Sequence, residues 1–160
     1  MVKEIPLTLG LVSFVDDEDY EELNKYTWCA NESATTKGLF YALRAGGNKT
    51  HILMHRQIMK SHKGEYIDHI NRNGVDNRKC NLRICTHSQN LRNHKLYKNN
   101  TSGLHNVYWS KHNRKWRAYI QKNKKKIMLG NFNSKEEAGK AYDKKAKEIY
   151  GNYAVLNFDY

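Results

Sequence analysis

The chain has 160 residues and carries 28 Lys and Arg against 16 Asp and Glu, a formal charge of +12, with 39% hydrophobic and 11% aromatic residues. A bilayer-spanning helix needs roughly 20 consecutive apolar residues, and apolar runs such as residues 9–15 are far shorter, so no membrane-spanning helix is expected. An isoelectric point near 9.6 is the footprint of a polyanionic partner, nucleic acid first, while ample aromatics and a single proline argue against long disorder. The charge is uneven: net −3 over residues 1–50, +7 over 51–100 and +8 over 101–160. No cationic start leads into an apolar run and a cleavage site, so no secretory signal is read. The odd, sparse set Cys29, Cys80 and Cys85 argues against a disulfide framework and for reduced thiols. A cytoplasmic setting follows as the expectation, in a bacterium or a phage-infected host.

In chain order, residues 7–15, 25–30 and 39–43 are short β-prone runs separated by turns, which predicts a small β-rich amino-terminal region over residues 1–50. The acidic stretch 16–22 between them predicts a solvated turn or a short helix. Residues 50–60, THILMHRQIMK, read as a strand running into a short helix. Next come a strand over residues 66–70, a turn-rich loop over 71–77 with Gly74 inside it, and a second strand over 82–85. Thr86 with Gln89 three residues later is a capping-box signature, so a helix is expected from Thr86 toward Asn93. The polar segment 95–103, KLYKNNTSG, predicts an interdomain linker. Beyond it, residues 106–110, 116–121 and 126–132 are β-like. In the middle run Trp116, Ala118 and Ile120 fall on one face and Arg117, Tyr119 and Gln121 on the other, as a strand's period of two requires. Ser134 and Glu137 form a second capping box, Ala138, Ala141, Tyr142 and Ile149 recur at helical spacing, and Gly151 stops the helix. The expected class is α+β, with a carboxyl-terminal three-stranded antiparallel sheet packed on one helix over residues 104–160.

Asp68, His69, Asn81 and Asn90 are residue types that together can hydrolyse a phosphodiester. The reaction needs a base to take a proton from water and a divalent ion to neutralise charge on the phosphate and the leaving oxygen. Histidine suits the base because its ordinary pKa lies near physiological pH, and Asp and Asn supply hard oxygen ligands. A zinc set of Cys80, Cys85, His87 and His94 lacks the usual zinc spacings.

The run IDHINRNGVDNRKCNLRICTHSQNLRN resembles the HNH endonucleases, the ββα-metal nucleases, in the variant whose last motif position is Asn, and most of all the phage and intron-encoded homing enzymes. The resemblance implies an HNH nuclease module over residues 51–94, with His69 as general base and Asp68 as metal ligand. Asn81, 12 residues after His69, corresponds to the position that orients the base, and Asn90, 21 residues after it, to the second ligand. Asn77 is the alternative orienter and His94, four residues after Asn90, the alternative ligand. The upstream MHR segment, with His55 and Arg56, is similar to the stretch before the motif in this group; Arg56 is an expected DNA contact. One divalent ion, Mg or Mn, is implied.

The segments VYWSKHNRKWRAYIQ, KIMLGNFNSKEEAGKAYDKKA and YAVLNF together resemble the plant Apetala-two or ethylene-response-factor DNA-binding domain. That resemblance implies a sheet that enters the major groove with a helix behind it. By position the DNA-facing residues are Tyr108, Ser110, Arg117, Tyr119, Gln121, Lys126 and Met128, while Trp116, Ala118, Ile120, Leu129, Phe132, Ala138, Ala141 and Tyr142 are core. Several of these replace the Arg and Trp of the plant domains, so the plant target sequence is not inherited: Arg reads guanine with two hydrogen bonds, and Tyr and Met do not. Arg114, Lys115, Lys122, Lys124 and Lys125 are expected at phosphates. The two resemblances together imply a metal-dependent endonuclease acting on double-stranded DNA as a monomer, without membrane or protein partner. Two other readings stand beside it: a non-catalytic, sequence-specific DNA-binding regulator on a degenerate HNH scaffold, and a basic RNA-binding structural protein.

Overall fold

Alternate residues of a strand face opposite sides, and in the first two strands that rule puts Ile5, Ser13 and Val15 inward. These strands, β1 (Val2–Pro6) and β2 (Val12–Asp16), form an antiparallel pair in a computed structural model that describes residues 1–123 and 125–160. The acidic stretch that follows is a helix, α1 (Asp17–Leu23), with Asp17, Glu18 and Asp19 in its first turn, where the helix dipole favours anions. Leu23 at its end is buried, and its carbonyl accepts the indole N–H of the buried Trp28 at 2.8 Å. A three-stranded antiparallel sheet follows: β3 (Cys29–Glu32), β4 (Phe40–Gly46) and β5 (Thr50–Leu53), with β4 central. As expected, β5 runs directly into a short helix, α2 (Met54–Ile58).

The motif region is a hairpin of β6 (Tyr66–His69) and β7 (Leu82–Cys85), in register Tyr66↔Cys85, Asp68↔Arg83 and His69↔Leu82. The capping box at Thr86 is present, with its side chain accepting from the Gln89 N–H at 3.2 Å and the Gln89 side chain accepting from the Thr86 N–H at 2.7 Å. The helix it opens, α3 (His87–Asn90), is a single turn and stops short of Asn93. Leu91 is 62% exposed and polar residues follow it, so no apolar face rewards further turns.

Residues 1–50 and the motif share one core, in which Ile5, Leu7, Val15, Leu23, Trp28 and Ala42 pack with Met54, Ile58, Ile67 and Leu82. Met1–Leu91 is accordingly one compact unit and Arg92–Tyr160 the other. Gly74 shows how tightly the first is closed: a Cβ there would collide with the Phe40 carbonyl oxygen of β4.

The second unit carries the expected three-stranded antiparallel sheet, β8 (Val107–Ser110), β9 (Lys115–Lys122) and β10 (Lys125–Phe132), with β9 in the middle. The β10 register shifts between Met128 and Gly130, so that Phe132 returns to lie opposite Trp116 and both Leu129 and Phe132 reach the core. The helix α4 (Lys135–Tyr150) is capped by Ser134, whose side chain accepts the Glu137 N–H at 3.1 Å, and Gly151 ends it at φ +54°. Val107, Ala118, Ile120, Ala138, Tyr142 and Ala146 are its buried core. Residues 95–103 are folded into this unit: Ser102 is buried, its hydroxyl donates to the Leu104 carbonyl at 3.0 Å, and Asn100 Oδ1 accepts the Gly103 N–H at 2.7 Å. Among the described residues no helix is long and apolar enough to cross a membrane.

Asp143 of α4 is fully buried and holds the chain's last residues. Its Oδ1 accepts the Asn157 N–H at 2.8 Å, and its Oδ2 accepts the Phe158 N–H and the Tyr160 hydroxyl, both at 3.1 Å. One turn earlier Gly139 leaves room for the Phe158 ring, which a Cβ there would meet at 2.7 Å. Asp143→Ala should cost about 3 kcal/mol, because three donors lose a charged acceptor in a dry site; denaturant unfolding measures this, and proteolysis reads release of the tail.

His55 of α2 is 7% exposed, and its Nδ1 has no hydrogen-bond partner among the described residues. Burial, reinforced by His69 and then Arg56, pushes its pKa down to about 3. The unfolded chain therefore takes up a proton as pH falls below 6.5 and the folded chain does not until about 3, so stability present above pH 6.5 is lost across that window. His55→Phe keeps the ring's bulk and removes the orphaned nitrogen. Urea midpoints at pH 7.5 and pH 5 should show the native chain losing about 2 kcal/mol more than this variant.

Candidate active site

The hairpin β6–β7 puts Asp68 and His69 side by side, 4% and 6% exposed, at the mouth of the loop 70–81. That loop is tied from within. Arg78 grips both Asp76 carboxylate oxygens at 2.7 Å and holds that carboxyl below the usual range, and Asn71 donates to Asp76 Oδ2 at 2.7 Å. Asn81 accepts the Asn71 N–H at 2.9 Å and donates to the Asp76 carbonyl at 2.8 Å, while its own carbonyl takes the Ile70 N–H at 2.9 Å. Asn81, expected to orient the base, thus braces the backbone that follows His69, and both ends of its amide are used there. Asn77, the alternative read from sequence, is the residue whose amide meets the imidazole, with Oδ1 3.2 Å from His69 Nε2.

Asn77 is fully buried and is itself held from 64 residues away: its Nδ2 donates to Ser13 Oγ at 2.8 Å. Ser13 Oγ in turn lies 3.0 Å from the Val75 carbonyl and 3.1 Å from Met54 Sδ. The backbone repeats the connection, with Phe14 N–H donating to Val75 O at 2.9 Å and Asn77 N–H to Phe14 O at 2.7 Å. With Nδ2 committed to Ser13, Asn77 presents its carbonyl to His69. That contact suits the tautomer with the proton on Nε2. Burial lowers the His69 pKa, against the opposing pull of Asn77, Asp68 and Asp76. The rings of His55 and Tyr41 pack on His69, His55 edge-on at 5.0 Å and Tyr41 at 5.7 Å between centroids.

Asp68 Oδ2 receives Arg83 Nε at 2.9 Å and Nη2 at 2.6 Å across the hairpin, an ion pair with Arg83 only 15% exposed. Asn90, the other expected ligand, ends α3 on the same unit, with its N–H donating to the Thr86 carbonyl at 3.0 Å. A carboxylate and an amide carbonyl are hard oxygen donors and fit a divalent ion of the Mg or Mn kind. Among the described residues no group of three or more His, Cys, Asp or Glu comes together as a metal cluster. His94, the alternative ligand, belongs to the carboxyl-terminal unit, where its ring packs against Tyr97 and His105. Arg56 donates to the carbonyls of Glu65 at 3.0 Å and His62 at 2.7 Å, so it holds the turn before β6.

On the second unit the strand registers pair Tyr108 with Arg117, Tyr119 with Met128, and Gln121 with Lys126. These six share the face of the sheet opposite the core residues Ala118 and Ile120, as the alternation predicts, and Ser110 follows Tyr108 on the same side. Lys126 Nζ lies 3.7 Å from the Tyr119 ring centroid, and Arg117 Nε is buried with no partner among the described residues. Lys124, expected among the DNA contacts, lies outside the described residues.

Ser13, Tyr41 and Arg83 were missed as parts of the site. Arg83 sits in the motif, and its place opposite Asp68 is readable once the hairpin register is known. Ser13 and Tyr41 carry no local signal. No protein-family model matches the chain. It is similar to an uncharacterized HNH endonuclease of Acanthamoeba polyphaga mimivirus, 28% identical over 150 residues, which cover 92% of this chain and 75% of that protein. It is also similar to Protein 3.8 of Escherichia phage T7, 35% identical over 92 residues, or 58% of this chain and 75% of that protein. The chain therefore belongs to the same family as phage T7 Protein 3.8 and is distantly related to an HNH endonuclease.

Proposed function

We propose that this chain is a metal-dependent DNA endonuclease of the HNH, homing type, which hydrolyses phosphodiester bonds in duplex DNA. The observation that carries the reading is the contact between His69 Nε2 and the carbonyl of Asn77, itself anchored on Ser13, which suits a proton on Nε2 and assigns Nδ1 as the base. His69 Nδ1 takes a proton from water, the water oxygen bonds to phosphorus, and the bond from phosphorus to the departing deoxyribose oxygen breaks. Asp68 and Asn90 would hold one divalent ion, Mg or Mn, which supplies charge neutralisation at the scissile phosphate and the departing oxygen. Asn81 serves as a positioning residue through the loop backbone.

The sheet face of Tyr108, Ser110, Arg117, Tyr119, Gln121, Lys126 and Met128 is the duplex-binding surface, in the manner of the Apetala-two domains that this stretch resembles. Electrostatics favour it: residues 92–160 hold 16 Lys and Arg against 5 Asp and Glu, net +11, whereas residues 1–91 are net +1. The second unit raises the concentration of the nuclease near DNA, and the chain acts as a monomer in a reducing cytoplasm. The Arg83–Asp68 pair favours the other reading, a DNA-binding regulator on a silent nuclease scaffold, since it engages a ligand carboxylate.

Metal-dependent cleavage separates the two. Supercoiled plasmid, or a random-sequence cleavage library for a rare site, should be cut with Mg²⁺ or Mn²⁺ and left intact with chelator. His69→Ala should lower the rate by about 10³-fold, and Asn77→Ala by about 10- to 100-fold, with duplex affinity within about twofold of the native chain, since neither contacts DNA through the second unit. Cleavage undiminished by His69→Ala overturns the base assignment, and binding without cleavage in the library favours the regulator. For the interface, Arg117→Ala combined with Lys126→Ala should reduce the slope of log affinity against log salt by about 2; an unchanged slope removes this face from the interface.

A further inference from the structure

The second unit contains a cavity of about 490 Å³, within the range of small-molecule pockets. Its walls come from two places. Tyr108 and Tyr119 of the sheet contribute one aromatic pair, ring centroids 6.0 Å apart, with the Lys126 ammonium over both rings. His94 and Tyr97, from the segment before the sheet, contribute another, 4.7 Å apart and tilted by 36°. Asn99 and Thr101 add exposed polar groups beside them. Tyr97 is 69% exposed, so a large aromatic ring stands at the cavity with most of its surface bare.

This combination selects a ligand by its chemistry. Aromatic rings on two walls offer stacking to a flat heteroaromatic solute, and every nucleobase has such a face. An ammonium held on the tyrosine rings suits the phosphate attached to it. Amide and hydroxyl groups can hydrogen-bond a base edge. A paired, stacked base of intact duplex offers no face to such a cavity; a base that has left the stack does. Residues 92–160 carry net +11, which concentrates nucleic acid and repels cationic ligands.

The geometry points to a site for a single unstacked nucleobase, formed by Tyr97 and His94 on one side and Tyr108 and Tyr119 on the other, with Lys126 on its phosphate. This rests on the reading of the sheet face as a DNA interface, because Tyr108 and Tyr119 belong to both. Through it the second unit favours DNA that is bulged, nicked or locally opened over perfectly paired duplex. Such distortion is what a base leaving the stack requires, and it costs least where pairing is already broken.

The test uses the full chain with chelator present and two short duplexes of one sequence: one fully paired, the other with a single unpaired 2-aminopurine. The native chain should bind the bulged duplex about tenfold more tightly, the effect of one stacked base, and shield the 2-aminopurine from acrylamide quenching. Tyr97→Ala should abolish both the preference and the shielding, and Tyr97→Trp should keep both, while affinity for the paired duplex serves as the internal reference. Equal affinity of the native chain for the two duplexes overturns the pocket and leaves the interface standing. A preference that survives Tyr97→Ala overturns it too, since flexibility of the bulge then explains the gain. Failure to bind either duplex overturns the interface itself.

Discussion

The candidate site depends on one long-range contact: β2 lies against the loop that follows His69. Phe14 exchanges backbone hydrogen bonds with Val75 and Asn77, and Ser13 takes the side chain of Asn77. An imidazole has two nitrogens and can carry its proton on either, so a base is defined only when something fixes the tautomer. On the nuclease reading Asn77 favours one of the two, and Ser13 in turn holds the Asn77 amide in the orientation that does so. The amide could otherwise flip, and with it the nitrogen of His69 that is basic. The amino-terminal region, whose net charge of −3 sets it apart from the rest of the chain, therefore acts as a scaffold for the motif. Gly74 serves the same closure, since only a residue without a Cβ lets the loop pass the Phe40 carbonyl.

What the sequence displayed and what it concealed divide along the length scale of the interactions. Capping is decided within three residues: the box at Thr86 is complete, whereas at Ser134 only the half in which its side chain accepts the Glu137 N–H forms, the Glu137 carboxylate accepting the Asn133 N–H instead. The alternation of Trp116, Ala118 and Ile120 with Arg117, Tyr119 and Gln121 is equally local, and it divides core from open face. Asn77 and Asn81 both follow His69 at loop spacings, and nothing local tells them apart. The difference lies in where each amide's second end is held, for Asn77 by Ser13, 64 residues distant, and for Asn81 by Asn71 and Asp76 of the loop itself. Arg56 has a role that its local sequence does not announce: two of its five N–H donors reach backbone carbonyls of a neighbouring turn.

Charge and chemistry are separated between the two units. The unit with Asp68 and His69 is close to neutral, with 12 Lys and Arg against 11 Asp and Glu, and nearly all of the excess lies in residues 92–160. A strongly positive field at the base would favour its neutral form but would also crowd a divalent ion away. On the nuclease reading, the excess carried by residues 92–160 attracts the polyanionic substrate.

The Asp68–Arg83 pair follows from the same economy of buried charge. Asp68 is only 4% exposed, and a polar group so buried costs free energy unless it is paired. Arg83 sits directly opposite in the hairpin register and supplies a counter-charge through two donors to a single oxygen. On the metal-dependent reading, a divalent cation at Asp68 would face competition from a guanidinium already seated. Binding is favoured only where a scissile phosphate supplies further anionic oxygens, and those oxygens give Arg83 an alternative acceptor of matching geometry. On this reading ion and DNA bind with positive coupling. Arg83→Lys, with one compact ammonium in place of the fork, should tighten metal binding to the free chain and weaken that coupling; titration calorimetry with Mn²⁺, with and without a duplex, measures both.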